Sequence, residues 1–301
     1  MDTRLKTNLA GIKLQNPIIM ASGTYGFGEE FKKYYSPTIL GGISSKGITR
    51  YPKPGNTGTR IWETPSGILN SIGLENPGVE VFVKEKIQDM NNLGTRIFVN
   101  LGGNTVEEYV ESVEILNDYE FDAIELNISC PNVKEGGMAF GMEKDSAANV
   151  VKKVMAKTNK KVFVKLSPNA GDIVSIAKAV EAEGATGLSL INTVLGMGID
   201  VEREEIVFDN IYAGLSGPCV KPIALRILHQ VATNVNIPII GMGGITNHKD
   251  VLEFLMAGAS AVQIGTYNFM NPSGPAEIID NLQKYLKEKN RTVEDYIRKL
   301  V

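Results

Sequence analysis

Eight short apolar or β-branched runs, separated by stretches of helical periodicity, constrain the fold more than any other feature of this chain. The runs cover 17–22, 42–46, 96–102, 122–129, 161–167, 186–192, 237–243 and 260–265. Helix-like segments at 79–92, 106–118, 145–158, 171–183, 222–234 and 247–257 lie between them. Strands that alternate with helices build parallel sheets through crossover units. An eightfold alternation favours an α/β fold of the closed (β/α)8 TIM-barrel type over an open sheet. With 301 residues and 43% hydrophobic content, the chain can bury one large core, so a single domain over 1–301 is expected.

Two connections are too long for simple barrel turns. One runs over 48–77 and is rich in Gly, Pro, Thr and Asn; the other runs over 193–217 and carries an acidic patch at 200–205. Both follow a predicted strand, which places them as irregular insertions over the C-terminal face, where barrel active sites form. They are read as walls or lids of a site.

Composition narrows the function. A net charge of −3 gives no general reason to bind a polyanion, so nucleic acid is not an expected partner. The start of the chain shows no basic leader before an apolar stretch, and the longest apolar runs, such as 237–242, are far shorter than the ~20 residues that span a bilayer. A cytoplasmic protein without a membrane segment is expected. The two cysteines, Cys130 and Cys219, form no Cys-x-x-Cys pair, which argues against a disulfide framework, a zinc site or an iron–sulfur cluster held by this chain alone. His229 and His248 fall at helical positions and are read as exposed or packing residues.

In a barrel the C-terminal strand ends converge on one cavity. Here those ends carry Ser22, Lys46, Asn100, Asn127, Lys165 and Asn192. The last two units end in glycine: Gly241-Met-Gly243-Gly244-Ile-Thr246 and Gly265-Thr266. Glycines let backbone N–H groups approach an anion closely, and the loops after strands seven and eight are the usual phosphate site of this fold. Gly243, Gly244, Gly265 and Thr266 are therefore assigned to the phosphate of a cofactor. Gly23-Thr-Tyr-Gly26-Phe-Gly28 does not have dinucleotide-binding spacing. Cys130 lies just past strand four beside Pro131 and Asn132, and a positive charge such as Lys46 or Lys165 nearby would make its thiol a usable base. Cys219, after Gly217-Pro218, is read as a buried small hydrophobe.

Five segments together resemble the dihydroorotate dehydrogenase family: Asn127-Ile-Ser-Cys130-Pro131-Asn132, Asn70-Ser-Ile-Gly73-Leu74-Glu-Asn76-Pro77-Gly78, Lys165-Leu-Ser-Pro168, Ile191-Asn192-Thr193 and Gly241-Met-Gly-Gly244. The resemblance covers essentially the whole chain. It implies FMN-dependent oxidation of (S)-dihydroorotate to orotate in pyrimidine (UMP) biosynthesis. Cys130 matches the base of the soluble class 1 enzymes, whereas membrane-associated class 2 enzymes carry serine there. By the same resemblance Lys46, Asn70, Ser71, Ile72, Gly73, Leu74, Asn127, Asn192 and Thr193 would bind the substrate. FMN would be held by Ser22, Ser45, Lys46, Asn100, Asn127, Lys165, Ile191, Gly217, Gly243, Gly244, Gly265 and Thr266. Cys130, Lys46 and Lys165 would be catalytic, with Cys130 removing the C5 proton, flavin N5 accepting the C6 hydride and Lys165 stabilising negative charge.

The stretch from Thr64 to Leu74 is similar to the NAD-linked class 1B rather than the fumarate-reducing class 1A. That implies a homodimer of catalytic chains and a partner subunit carrying FAD and a [2Fe-2S] cluster, in a heterotetramer of two catalytic and two electron-transfer subunits. Class 1A, an FMN-dependent tRNA-dihydrouridine synthase, a Lys165 Schiff-base aldolase and a non-enzymatic phosphate-binding scaffold remain the alternatives.

Overall fold

The fold is taken from a computed structural model, which describes residues 3–129 and 140–301. All eight expected runs form strands: β1 (Ile18–Met20), β2 (Gly42–Ser44), β3 (Arg96–Leu101), β4 (Ala123–Asn127), β5 (Lys161–Lys165), β6 (Gly187–Leu190), β7 (Ile239–Met242) and β8 (Ala261–Ile264). Each pairs in parallel with its sequence neighbours, and β8 pairs with β1, so the sheet closes into a barrel. Helices Val106–Leu116, Lys144–Met155, Ile173–Ala182, Lys221–Ala232 and His248–Met256 follow the successive strands from β3 to β7. The α/β barrel inferred from the alternation is the observed fold.

The period of two along each strand sorts the interior into layers. At the lower end Ile19, Phe98, Ala123, Phe163, Ile240 and Ala261 pack with Leu9, Ile12 and Leu14. Those last three belong to an antiparallel hairpin, Thr7–Leu9 with Ile12–Leu14, that plugs the barrel floor. Two residues further along the strands the interior turns polar, with Ser44, Asn100, Glu125, Lys165, Ser189 and Gln263, all buried. One layer higher come Lys46, Asn127, Ile191 and Gly265, which border a cavity. An apolar floor thus carries a buried polar layer, and the site sits on top of it.

The structure corrects several expectations. The two long connections are not irregular throughout. Their segments Ile61–Thr64, Gly67–Asn70, Val194–Met197 and Tyr212–Ser216 form one four-stranded antiparallel sheet. Asn70 pairs with Gly214 and Ile68 with Ser216, so 61–70 and 194–216 fold onto each other above the barrel. The helix expected over 79–92 is broken at Lys86 into Val79–Glu85 and Ile87–Asn91. The C-terminal helix Gly274–Lys289 and the floor hairpin were not anticipated. Cys219 is exposed rather than buried, because it sits on a single 3-10 turn, Pro218–Val220, outside the core. His229 is exposed, with its ring Nε2 3.2 Å from the Leu300 carbonyl oxygen, and His248 packs against Tyr285. No helix among the described residues is long and apolar enough to cross a membrane.

Candidate active site

The strand ends and the four-stranded sheet enclose a cavity of about 460 Å³, within the range of small-molecule sites. Its wall includes Ser22, Lys46, Asn127, Lys165, Ile191, Asn192, Thr193, Gly217, Gly243, Gly244, Gly265 and Thr266. The run from Asn70 to Leu74 lines the same space from above. The structure therefore brings together nearly every residue singled out from the sequence. Ser45 and Asn100 do not reach the wall: both are fully buried behind it, and the Asn100 N–H donates to Ser45 Oγ at 3.0 Å. Cys130, Pro131 and Asn132 lie outside the described residues.

Beneath the cavity lies a group to which the sequence reading gave no role. Glu125 is completely buried, and its carboxylate accepts from Ser44 Oγ at 2.7 Å, Asn100 Nδ2 at 2.5 Å and Gln263 Nε2 at 2.7 Å. Lys165 Nζ stands 3.8 Å away. Burial alone would push this carboxyl up, yet the Lys165 ammonium and the three donors outweigh it and hold Glu125 below the ordinary carboxylate range. A glutamate in mid-strand, two residues before Asn127 in an otherwise apolar run, was the available signal.

From Asn100 a chain of side chains climbs to the cavity wall. Asn127 Nδ2 donates to Asn100 Oδ1 at 3.4 Å, Ser129 Oγ donates to Asn127 Oδ1 at 2.7 Å, and Asn192 Nδ2 donates to Ser129 Oγ at 2.6 Å. The chain ends where the Thr193 N–H donates to Asn192 Oδ1 at 2.7 Å. Asn169 adds a support that the sequence reading missed, donating to the Thr193 carbonyl at 3.1 Å and accepting from the Leu195 N–H at 2.9 Å. On the opposite wall Asn70 Nδ2 donates to the Gly214 carbonyl at 3.1 Å, which ties the two insertions together at the ligand-facing surface. Above it Arg60 hydrogen-bonds Glu75 at 2.7 Å and, with Lys46 nearby, holds that exposed carboxyl below its usual range.

At the glycine end the backbone turns pack closely. Gly244 has φ +75°, and a Cβ there would stand 2.8 Å from the Gly217 carbonyl oxygen and 2.9 Å from the Lys221 backbone nitrogen. Two loops thus touch at a point where only glycine fits. Thr266 Oγ1 donates to Ser216 Oγ at 2.8 Å, joining the turn after β8 to the insertion sheet. The helix after β7 opens with a capping box: Asn247 accepts from the Lys249 and Asp250 N–H groups, while Asp250 accepts from the Thr246 and Asn247 N–H groups. Lys221 bridges to Asp250 at 2.6 Å and to Glu253 at 2.8 Å, fixing the neighbouring helix to the same turn. Burial would raise the Asp250 carboxyl, but Lys221 and the Thr246 donors hold it below the ordinary range.

Fold and site define a (β/α)8 barrel with a polar, amide-rich cavity bordered at one end by glycines, the kind of concave site in which barrel enzymes bind small molecules. The dihydroorotate dehydrogenase family model matches residues 4–286, and the chain belongs to that family. It is 50% identical over 296 residues to a Petrotoga mobilis protein named dihydroorotate dehydrogenase B (NAD(+)), catalytic subunit, covering 98% of this chain and 99% of the relative. A protein of the same name from Brachyspira hyodysenteriae is 52% identical over 292 residues, covering 96% of this chain and 95% of that one. Another, from Bacteroides thetaiotaomicron, is 49% identical over 284 residues, with 94% of both chains covered.

Proposed function

We propose that this chain is the catalytic subunit of an NAD-linked dihydroorotate dehydrogenase, oxidising (S)-dihydroorotate to orotate with FMN as its resident acceptor. The observation that carries the reading is the convergence of Lys165, Asn70, Asn127 and Asn192 on one cavity with Gly243, Gly244, Gly265 and Thr266 at its end. The chemistry of these groups fits FMN: backbone N–H groups and a hydroxyl suit a phosphate, and a lysine suits a ring that gathers negative charge. When bound, FMN supplies an electrophilic nitrogen able to accept a hydride.

The chain's own residues have the following parts. The amides of Asn70, Asn127 and Asn192 match the donors and acceptors of a pyrimidinedione. Lys46, which is partly buried and lines the cavity, pairs with the substrate carboxylate. Lys165, held by Glu125, places fixed positive charge where negative charge develops. Cys130 removes the C5 proton. The sheet built from 61–70 and 194–216 roofs the cavity and limits the access of water.

The names of the relatives support onward transfer of electrons to NAD+ and a second subunit. We assign FAD and a [2Fe-2S] cluster to that subunit, in a heterotetramer of two catalytic and two electron-transfer chains, with the catalytic chains as a homodimer. The catalytic chain is a single cytoplasmic domain in this reading. Anaerobic mixing of the FMN-loaded chain with dihydroorotate tests it: the visible flavin band bleaches and orotate forms. A Cys130→Ala variant binds orotate but bleaches on the order of a hundredfold more slowly. A wild-type flavin band that dihydroorotate leaves unchanged overturns the assignment.

A further inference from the structure

The reaction proposed above uses Glu125 only as the counter-charge that holds Lys165, although burying a carboxylate is costly unless pairing and hydrogen bonds offset it. Four strands supply that offset. Ser44 comes from β2, Asn100 from β3, Lys165 from β5 and Gln263 from β8, and all four polar groups point at this one side chain. Within the polar layer Glu125 and Lys165 are the only charged members, the others being Ser44, Asn100, Ser189 and Gln263.

An ionised carboxylate accepts hydrogen bonds and cannot donate. Asn100 must therefore turn its Nδ2 toward Glu125, which leaves its Oδ1 for Asn127 Nδ2. Asn127 then has Oδ1 for the single hydrogen of Ser129 Oγ, and Ser129 can only accept from Asn192 Nδ2. Asn127 and Asn192 both line the cavity, so a charge below its floor decides which of their amide atoms are spoken for. A neutral group at position 125 could donate as well as accept, and Asn100 and everything above it would be free to reverse.

We propose that Glu125 is a positioning residue for dihydroorotate oxidation: its carboxylate anchors the Lys165 ammonium and fixes the donor–acceptor sense of the Asn100, Asn127, Ser129 and Asn192 series that meets the pyrimidine ring. The role rests on the substrate assigned above.

Orotate titrated into the FMN-loaded full-length chain, followed by flavin absorbance, gives the test. Glu125→Gln keeps the shape of the side chain but offers an amide to groups that donate. It is expected to retain FMN and to raise the orotate dissociation constant about tenfold or more. The double variant Glu125→Gln/Lys165→Met, which lacks both charges, is expected to melt at a higher temperature than either single variant, because each single variant is left with one unpaired buried charge and the double variant with none. A lowered melting temperature for Glu125→Gln with an orotate affinity within about twofold of wild type marks a scaffold residue and overturns the proposal. Should Glu125→Gln not fold, infrared spectroscopy of the wild type decides: a protonated-carboxyl band near neutral pH overturns the proposal, and its absence supports it. Wild-type protein that holds FMN but binds no orotate removes the substrate assignment and this role together. Normal wild-type binding with an unaffected Glu125→Gln variant sinks the role alone.

Discussion

Replacing Gly244 and Gly265 separately with alanine distinguishes the scaffold of the proposed phosphate cradle from its contact surface. At Gly244 an alanine must adopt φ +75°, which costs about 1–2 kcal/mol for a residue with a Cβ. Its Cβ would also stand 2.8 Å from the Gly217 carbonyl oxygen and 2.9 Å from the Lys221 nitrogen, both backbone atoms that cannot rotate away. Overpacking of that kind typically costs a further ~1–3 kcal/mol, so Gly244→Ala should destabilise the fold by about 2–5 kcal/mol. At Gly265 φ is ordinary, and a Cβ would meet only Ala21 Cβ at 3.6 Å and Thr24 Cγ2 at 3.8 Å, which are normal contacts. Gly265→Ala should therefore unfold within about 0.5 kcal/mol of wild type. Its methyl group nonetheless occupies space next to the assigned phosphate, and a loss of 1.4 kcal/mol there is a tenfold loss of affinity. Urea denaturation measures the first quantity, and FMN titration of the flavin-stripped protein the second. The reasoning is refuted if Gly265→Ala binds FMN as tightly as wild type, or if Gly244→Ala is as stable as wild type.

Two further outcomes follow from the buried carboxylates. Asp250→Ala removes the acceptor shared by Thr246, Asn247 and Lys221 and should cost about 2 kcal/mol by urea denaturation, with Glu253 still holding Lys221; a loss under about 0.5 kcal/mol would contradict the capping role. Acid dependence follows from the sign of the shifts: Glu125 and Asp250 titrate lower in the folded chain than the ordinary values near 4, so the unfolded chain binds more protons there. Their contribution is complete above about pH 5 and is lost as the pH falls through the folded values, so the urea midpoint should drop more steeply for wild type than for Asp250→Ala. Parallel decline in the two proteins would contradict it.

The strands and most of the helices could be read from the sequence because each barrel unit carries its own pattern. A buried parallel strand such as Ile239–Met242 is a short apolar run, and a surface helix such as Val106–Leu116 shows its apolar face at helical spacing. The insertions escaped that logic. Gly67–Asn70 and Tyr212–Ser216 pair across more than a hundred residues, and their half-exposed surfaces leave no apolar run to recognise. The floor hairpin is three residues per strand, below what a pattern can register. Among site residues, those at strand ends were legible because the fold sends every strand end to one face. Glu125 was not, because its meaning depends on Ser44, Asn100, Lys165 and Gln263 arriving from four other strands, a convergence that only closure of the barrel creates.

A crystal structure of the chain with FMN and orotate tests the central assignment most directly. The phosphate should lie against the backbone of Gly243, Gly244 and Gly265, Lys165 should face the flavin ring, and the orotate ring should rest among Asn70, Asn127 and Asn192 with Cys130 on its far side. A phosphate bound elsewhere, or an orotate ring outside the cavity roofed by 61–70 and 194–216, would contradict it.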